Sequence, residues 1–144
     1  MKYSNAERYH KRRLVEINLR NHIQCKQELH NLRDAIIEGS SFQEVAVQSG
    51  GTSNVTANKA IQLLTSTELI EVAKRAAAID IGMDMLRLKA RPDKDLHKLI
   101  SMKYFDKKFS DIAIASSIGV SDRTFRRWHG EAVDIIGTSL GWKL

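Results

Sequence analysis

The chain has 144 residues, 42% of them hydrophobic, and carries 23 Lys and Arg against 17 Asp and Glu, a formal net charge of +6. That length supports one core of ordinary size, or a small domain joined to a helical arm. The lone Cys25 excludes an internal disulfide, none of the five histidines stands at a metal-ligand spacing from it, and no stretch nears the roughly 18 apolar residues of a membrane span.

A reducing cytoplasmic setting, with no metal and no cofactor, is therefore expected. The basic N-terminus, with Lys2, Arg8, Lys11, Arg12 and Arg13, is followed by no apolar run, so a secretory leader is not expected either. A surplus of Lys and Arg favours polyanions through counterion release and steering, but where the charges lie must decide whether it is used.

Only Pro92 interrupts the chain and alternating β-forming runs are absent, so the fold class is read as all-α. A first helix is predicted from about Asn5 to Glu38, with Leu14, Ile17, Cys25, Leu29, Leu32 and Ile36 along one apolar stripe and Gly39 as its stop. Residues 39–54, rich in Ser, Gly, Gln and Thr, read as a linker, with Phe42, Val45, Ala46 and Val47 as one helical turn inside it. Residues 1–54 thus form an N-terminal arm and linker.

A central long helix is predicted from Val55 to Lys89, with Ile61, Leu64, Ile70, Ala73, Ala77 and Ile81 as apolar positions and Thr65 to Thr67 as a point of interruption. It ends before Arg91-Pro92, because proline disfavours α geometry in the residue ahead of it. The run Ala76-Ala77-Ala78 suits either an ordinary core face or a close helix approach. Residues 55–91 are the expected oligomerisation element, and a homo-oligomer, a dimer, is expected because amphipathic helices this long are hard to bury in one short chain.

Residues 92–144 form the third unit. Asp93 or Lys94 opens a helix with Leu96, Leu99, Ile100 and Tyr104 on its inner face. Ser110 then caps a helix from Asp111 to Ile118, with acidic Asp111 in its first turn where the helix dipole favours it. Gly119-Val120-Ser121 ends this helix and caps the next. Small Ala115 suits a close crossing, Gly119 relieves the backbone, and Ile114, Ile118, Val120, Phe125 and Trp128 supply a shared core.

This is the pattern of a helix-turn-helix. With Phe125 and Trp128 inward, Ser121, Asp122, Arg123, Arg126 and Arg127 fall on the outer face of the second helix. Arginine pairs with the O6 and N7 acceptors of guanine, Ser121 and Thr124 suit phosphate or base contacts, and Asp122 caps the helix or orients an arginine. Lys107 and Lys108, with Lys103, are candidates for backbone phosphates only. The cluster Arg8-Tyr9-His10-Lys11-Arg12-Arg13 reads as a solvated helix face in preference to a second DNA patch, since Glu7 and Glu16 interrupt its charge.

The stretches Tyr104-Phe-Asp-Lys-Lys-Phe-Ser-Asp-Ile-Ala, Ile118-Gly-Val-Ser-Asp-Arg-Thr-Phe-Arg-Arg-Trp and Glu131-Ala-Val-Asp-Ile-Ile resemble region four of bacterial sigma factors. The layout as a whole is similar to the RinA and ArpU group of bacteriophage late-gene transcription regulators. The resemblance implies a phage or prophage activator that binds promoter double-stranded DNA and acts with host RNA polymerase, through Ser121, Arg123, Thr124, Arg126 and Arg127. No counterpart of the sigma regions that open DNA or bind core polymerase is found, which favours an auxiliary activator. The alternatives are a small terminase subunit for phage DNA packaging and a protein-interaction module docking on polymerase. Catalysis is not expected, since the chain offers no phosphate-binding glycine loop, no Cys and His pair at a motif spacing and no recognisable carboxylate pair.

Overall fold

The computed structural model describes the backbone of residues 4–47, 67–91 and 93–142. Among the described residues the fold is all-α, and the one β-type bridge joins Arg91 to Lys94 across a turn. The helices are α1 (Asn5–Val47), α2 (Thr67–Leu88), α3 (Leu96–Ile100), which runs on into a π-helical turn (Ser101–Asp106), α4 (Asp111–Ile118) and α5 (Asp122–Ser139). None of them is long and apolar enough to cross a membrane.

Residues 1–23 and 77–144 form one compact unit and residues 24–76 another, so the first helix is shared between the two. Gly39 is not a stop: α1 continues through it to Val47. A glycine inside a helix costs about 1 kcal/mol relative to alanine, too little by itself to end a long helix. The loop expected at Ser49 to Asn54, the first turns expected of the central helix at Val55 to Ser66, and the side chains of Phe42 to Val47 lie outside the described residues.

In the unit of residues 24–76, Cys25, Leu29 and Leu32 are half-buried at the expected spacing. Gln24 donates to Glu28 and Gln27 to Asn31, both at 3.1 Å, linking successive turns on the exposed side.

The other unit holds the core. Val15 and Leu19 from α1, Ile79, Met83 and Leu86 from α2, Leu96, Leu99 and Ile100 from α3, Tyr104 from the π turn, and Ile114 and Ala115 from α4 converge on Phe125, Trp128, Ala132, Val133 and Ile136 of α5. Two expected stripes are corrected here. On α1, Leu14 and Ile17 are exposed, and the buried line is Val15, Leu19 and His22. On α2, Ile70 and Ile81 are exposed and Ala76, Ile79, Met83 and Leu86 are buried. Each helix carries two apolar lines offset by one or two positions, and the partner's position decides which of them is shielded from water.

His22, buried to 4% exposure, is satisfied by Asp80 Oδ1 at 2.9 Å and packs beside the Phe105 ring. The pair joins α1 to α2. In the run Ala76 to Ala78, Ala76 is buried as a core residue and the Ala78 carbonyl accepts from Ser139 of α5, and a close approach of the two helices follows one turn later. A Cβ added at Gly82 would meet Ser139 Oγ at 2.7 Å and the Ile136 Cα at 3.2 Å, so α2 and α5 touch almost backbone to backbone. Ser139 cannot simply swing aside, because its hydroxyl lies 2.7 Å from the Ala78 carbonyl and 2.6 Å from that of Ile136.

Replacing Gly82 by Val should therefore destabilise the protein by roughly 1 to 3 kcal/mol, the usual range for overpacking. Thermal unfolding of G82V at or above the wild-type midpoint would contradict this close approach.

Candidate functional site

The site is built on α4, α5 and the three residues between them. Ser110 opens α4, its hydroxyl accepting the Ala113 N–H at 3.2 Å. Gly119 closes it with φ +80, the left-handed region glycine enters without strain, and donates its N–H to the Ala115 and Ser116 carbonyls. The Val120 N–H returns to the Ala115 carbonyl at 3.0 Å, which tightens the turn. Ser121 then caps α5, accepting the Thr124 N–H at 3.2 Å and donating to Thr124 Oγ1 at 3.1 Å. Each reversal is made by a side chain or a glycine suited to it.

Phe125 and Trp128 are buried, at 2% and 8% exposure, while Arg123, Arg126 and Arg127 on the same two turns are exposed. Asp122 Oδ2 holds Arg126 at 3.0 Å. With the arginine side chain 78% exposed, that pair is worth at most about 1 kcal/mol and leaves the guanidinium free to exchange partners. Asp122 thus orients an arginine, and the cap is Ser121.

Of the residues singled out in the sequence, Ser121 to Thr124, Arg126 and Arg127 come together on the first turns of α5. Lys107 is placed elsewhere. It takes the left-handed backbone conformation, φ 53, that ends the π turn, and its ammonium donates to the Arg20 carbonyl of α1 at 2.9 Å. Lys108 is exposed, and Lys103 pairs with Asp111 at 2.6 Å.

The tertiary structure adds a second basic element. The first turns of α1 lie across α5: Arg8 donates to Asp134 Oδ2 at 2.8 Å, and Arg12 grips the same carboxylate at 2.7 and 2.6 Å. Arg8 and Arg12 are thus ion-paired, not a plain solvated face. Arg12 passes over Gly130, where a Cβ would lie 3.4 Å from its Nη1. Arg123, Arg126 and Arg127, Gly130 and Asp134 follow one another at helical spacing on one side of α5. So α1 covers the later turns of that side and leaves the first two open. An aspartate at 134 with arginines at 8 and 12 is complementary in charge, but a pairing across more than 120 residues has no local signature.

Two open cavities flank the crossing. One, of about 520 Å³, has Arg8, Arg12, Lys89 and Arg127 on its walls with Glu131 and Asp134; the other, of about 320 Å³, has Tyr9, Arg12, Arg13 and Arg126 with Glu16.

Titrating groups behind this face are set by packing. Partial burial raises the Asp134 pKa, but the hydrogen bonds from Arg12 and Arg8 outweigh it and hold the carboxyl below its usual range. Arg12 is raised in turn by Asp134. Burial, aided by Lys103, lowers His129, whose Nε2 stands 2.7 Å from the Tyr104 hydroxyl while its ring stacks with Tyr104 and Phe125. Burial raises Tyr104. Lys103 lies over the Phe125 ring at 5.7 Å and Lys94 over that of Trp128 at 5.6 Å.

Chemically, three exposed guanidiniums on a capped helix are hydrogen-bond donors suited to anions and other acceptors. Comparison with protein-family models, with curated proteins and with solved structures finds no match to the chain.

Because the fold favours the neutral His129 ring, its stabilising effect is complete above the ordinary value of 6.5 and is lost as pH falls through the lower folded value. Unfolding free energy should fall as pH drops below about 6.5, and His129→Gln should flatten that part of the curve. Denaturant titrations at closely spaced pH check this; an unchanged slope in H129Q would exclude His129 as the cause.

Proposed function

We propose that α4, the Gly119 to Ser121 turn and α5 act as a helix-turn-helix, and that the chain is a sequence-specific double-stranded DNA-binding transcription regulator. One observation carries the reading: the rotation of α5 that buries Phe125 and Trp128 presents Arg123, Arg126 and Arg127 together at the start of a Ser-capped helix. An α-helix about 10 to 12 Å across suits a major groove about 12 Å wide. Its first turns enter deepest.

Arg126 and Arg127, and Arg123 a turn earlier, are the base readers, suited to paired hydrogen bonds with guanine. Ser121 and Thr124 already satisfy each other, so their contribution is the helix start and phosphate contact at its rim. Asp122 positions Arg126 until DNA replaces it. The sigma region-four resemblance supports a phage or prophage late-gene activator working with host RNA polymerase. The net charge of +6 supports a polyanionic partner.

We further propose a homodimer. Leu14 and Ile17 of α1 and Ile81 and Leu88 of α2 are exposed, with Leu88 at 87%, which is apolar surface a second copy would cover. Sedimentation at micromolar concentration should give a dimer, and monomer alone would rule this out.

For the reading face, Arg126→Ala with Arg127→Ala should reduce discrimination between a selected duplex and a mixed-sequence one by roughly 1 to 3 kcal/mol for each base pairing removed, leaving the fold intact. Trp128→Ala should instead unfold the unit, costing roughly 3 to 5 kcal/mol of stability. Quantitative binding to both duplexes separates the two effects, and full selectivity in the double arginine variant would refute the assignment.

A further inference from the structure

The basic first turns of α1 are tied to α5 and stand beside its reading arginines. Arg8 and Arg12 share the Asp134 carboxylate, so two cations meet one anion there. The cavity on one side of the crossing sets Arg8, Arg12, Lys89 and Arg127 against two carboxylates. The other sets Arg12, Arg13 and Arg126 against Glu16 alone. Both sides are left with a surplus of positive charge, and each holds one reading arginine of α5 together with one exposed arginine of α1.

A helix about 10 to 12 Å across fills a groove about 12 Å wide. A second helix lying across its third turn cannot enter as well, and meets the phosphate walls. We infer that Arg8 and Arg13 of α1 contact DNA backbone phosphates on the two sides of α5, so that the nucleic-acid surface is composite and α1 sets how deep α5 enters. This rests on α5 being the DNA-reading helix. Arg12 is the positioning residue: its guanidinium is occupied by Asp134 and holds α1 over Gly130. Arg8 reaches the same carboxylate through one nitrogen, and Arg13 pairs with Glu16 at 3.0 Å; both are about half exposed, so phosphates can replace or share those partners. Such contacts add affinity for any sequence and no discrimination between sequences.

The test uses the full chain and two probes, a duplex of about 30 base pairs of mixed sequence, long enough for a helix-turn-helix footprint, and a duplex enriched from a random pool by the wild-type protein. Arg8→Gln with Arg13→Gln should weaken binding to both duplexes by the same factor. It should lower the slope of log affinity against log salt by about 1.8, the value for two phosphates no longer neutralised. Phosphate-ethylation interference on the enriched duplex should disappear at the edge of the footprint. Arg8→Lys with Arg13→Lys should restore slope and interference, which excludes a folding defect as the cause. An unchanged slope and interference pattern in the glutamine variant, with Arg126 and Arg127 still required for selectivity, would overturn the role of α1 and leave the reading helix standing. No binding of wild-type protein to either duplex at low salt would overturn both.

Discussion

The apolar stripe of α5 is the constraint on which the rest of the unit depends. Phe125, Trp128, Ala132, Val133 and Ile136 recur at three- and four-residue intervals, and all of them are buried. The other helices of that unit add their own buried side chains to the same core: Val15 and Leu19, Ile79, Met83 and Leu86, Leu96, Leu99 and Ile100, and Ile114 with Ala115. Because an α-helix has one rotation about its axis, hiding these rings and aliphatic chains also decides which residues face water. The guanidiniums at 123, 126 and 127 are outward for that reason. A change in the core at Phe125 or Trp128 would turn the arginine face as well as loosen the fold.

Asp134 adds a second constraint of a different kind. It draws two arginines from the far end of the chain onto the polar side of α5 and fixes where α1 crosses it. The carboxylate is partly buried, so it needs the two cations more than a surface aspartate would. The crossing occupies the side of α5 from Gly130 onward. What stays open is the first two turns, which in the proposed mode are the turns that reach into DNA.

The two constraints meet at His129. Its ring packs between Tyr104 and Phe125, and its neutral state is favoured by burial, close to the cavity that holds Arg126 and Arg13. The polar contact in this part of the core, to the Tyr104 hydroxyl, is made with an uncharged partner. The surface above it is strongly cationic, and a positive charge on the buried ring would be opposed by desolvation and repelled by Lys103 and Arg12, all of which lower the His129 pKa. The arrangement keeps the cations on the outside.

Local features were legible in the amino-acid order alone. Capping by Ser110 and Ser121, the glycine reversal at 119, and the inward Phe125 and Trp128 follow from hydrogen bonds and periodicities that span four residues or fewer, and they reappear in the structure. Leu96, Leu99, Ile100 and Tyr104 were readable for the same reason. It took the packed chain to choose which of two apolar lines on α1 and α2 is buried, to bring α2 against α5 at Gly82, and to assign Arg8 and Arg12 to Asp134. Such choices depend on what lies across the interface, and a helix with apolar residues on two adjacent lines looks equally competent either way until its partner is in place.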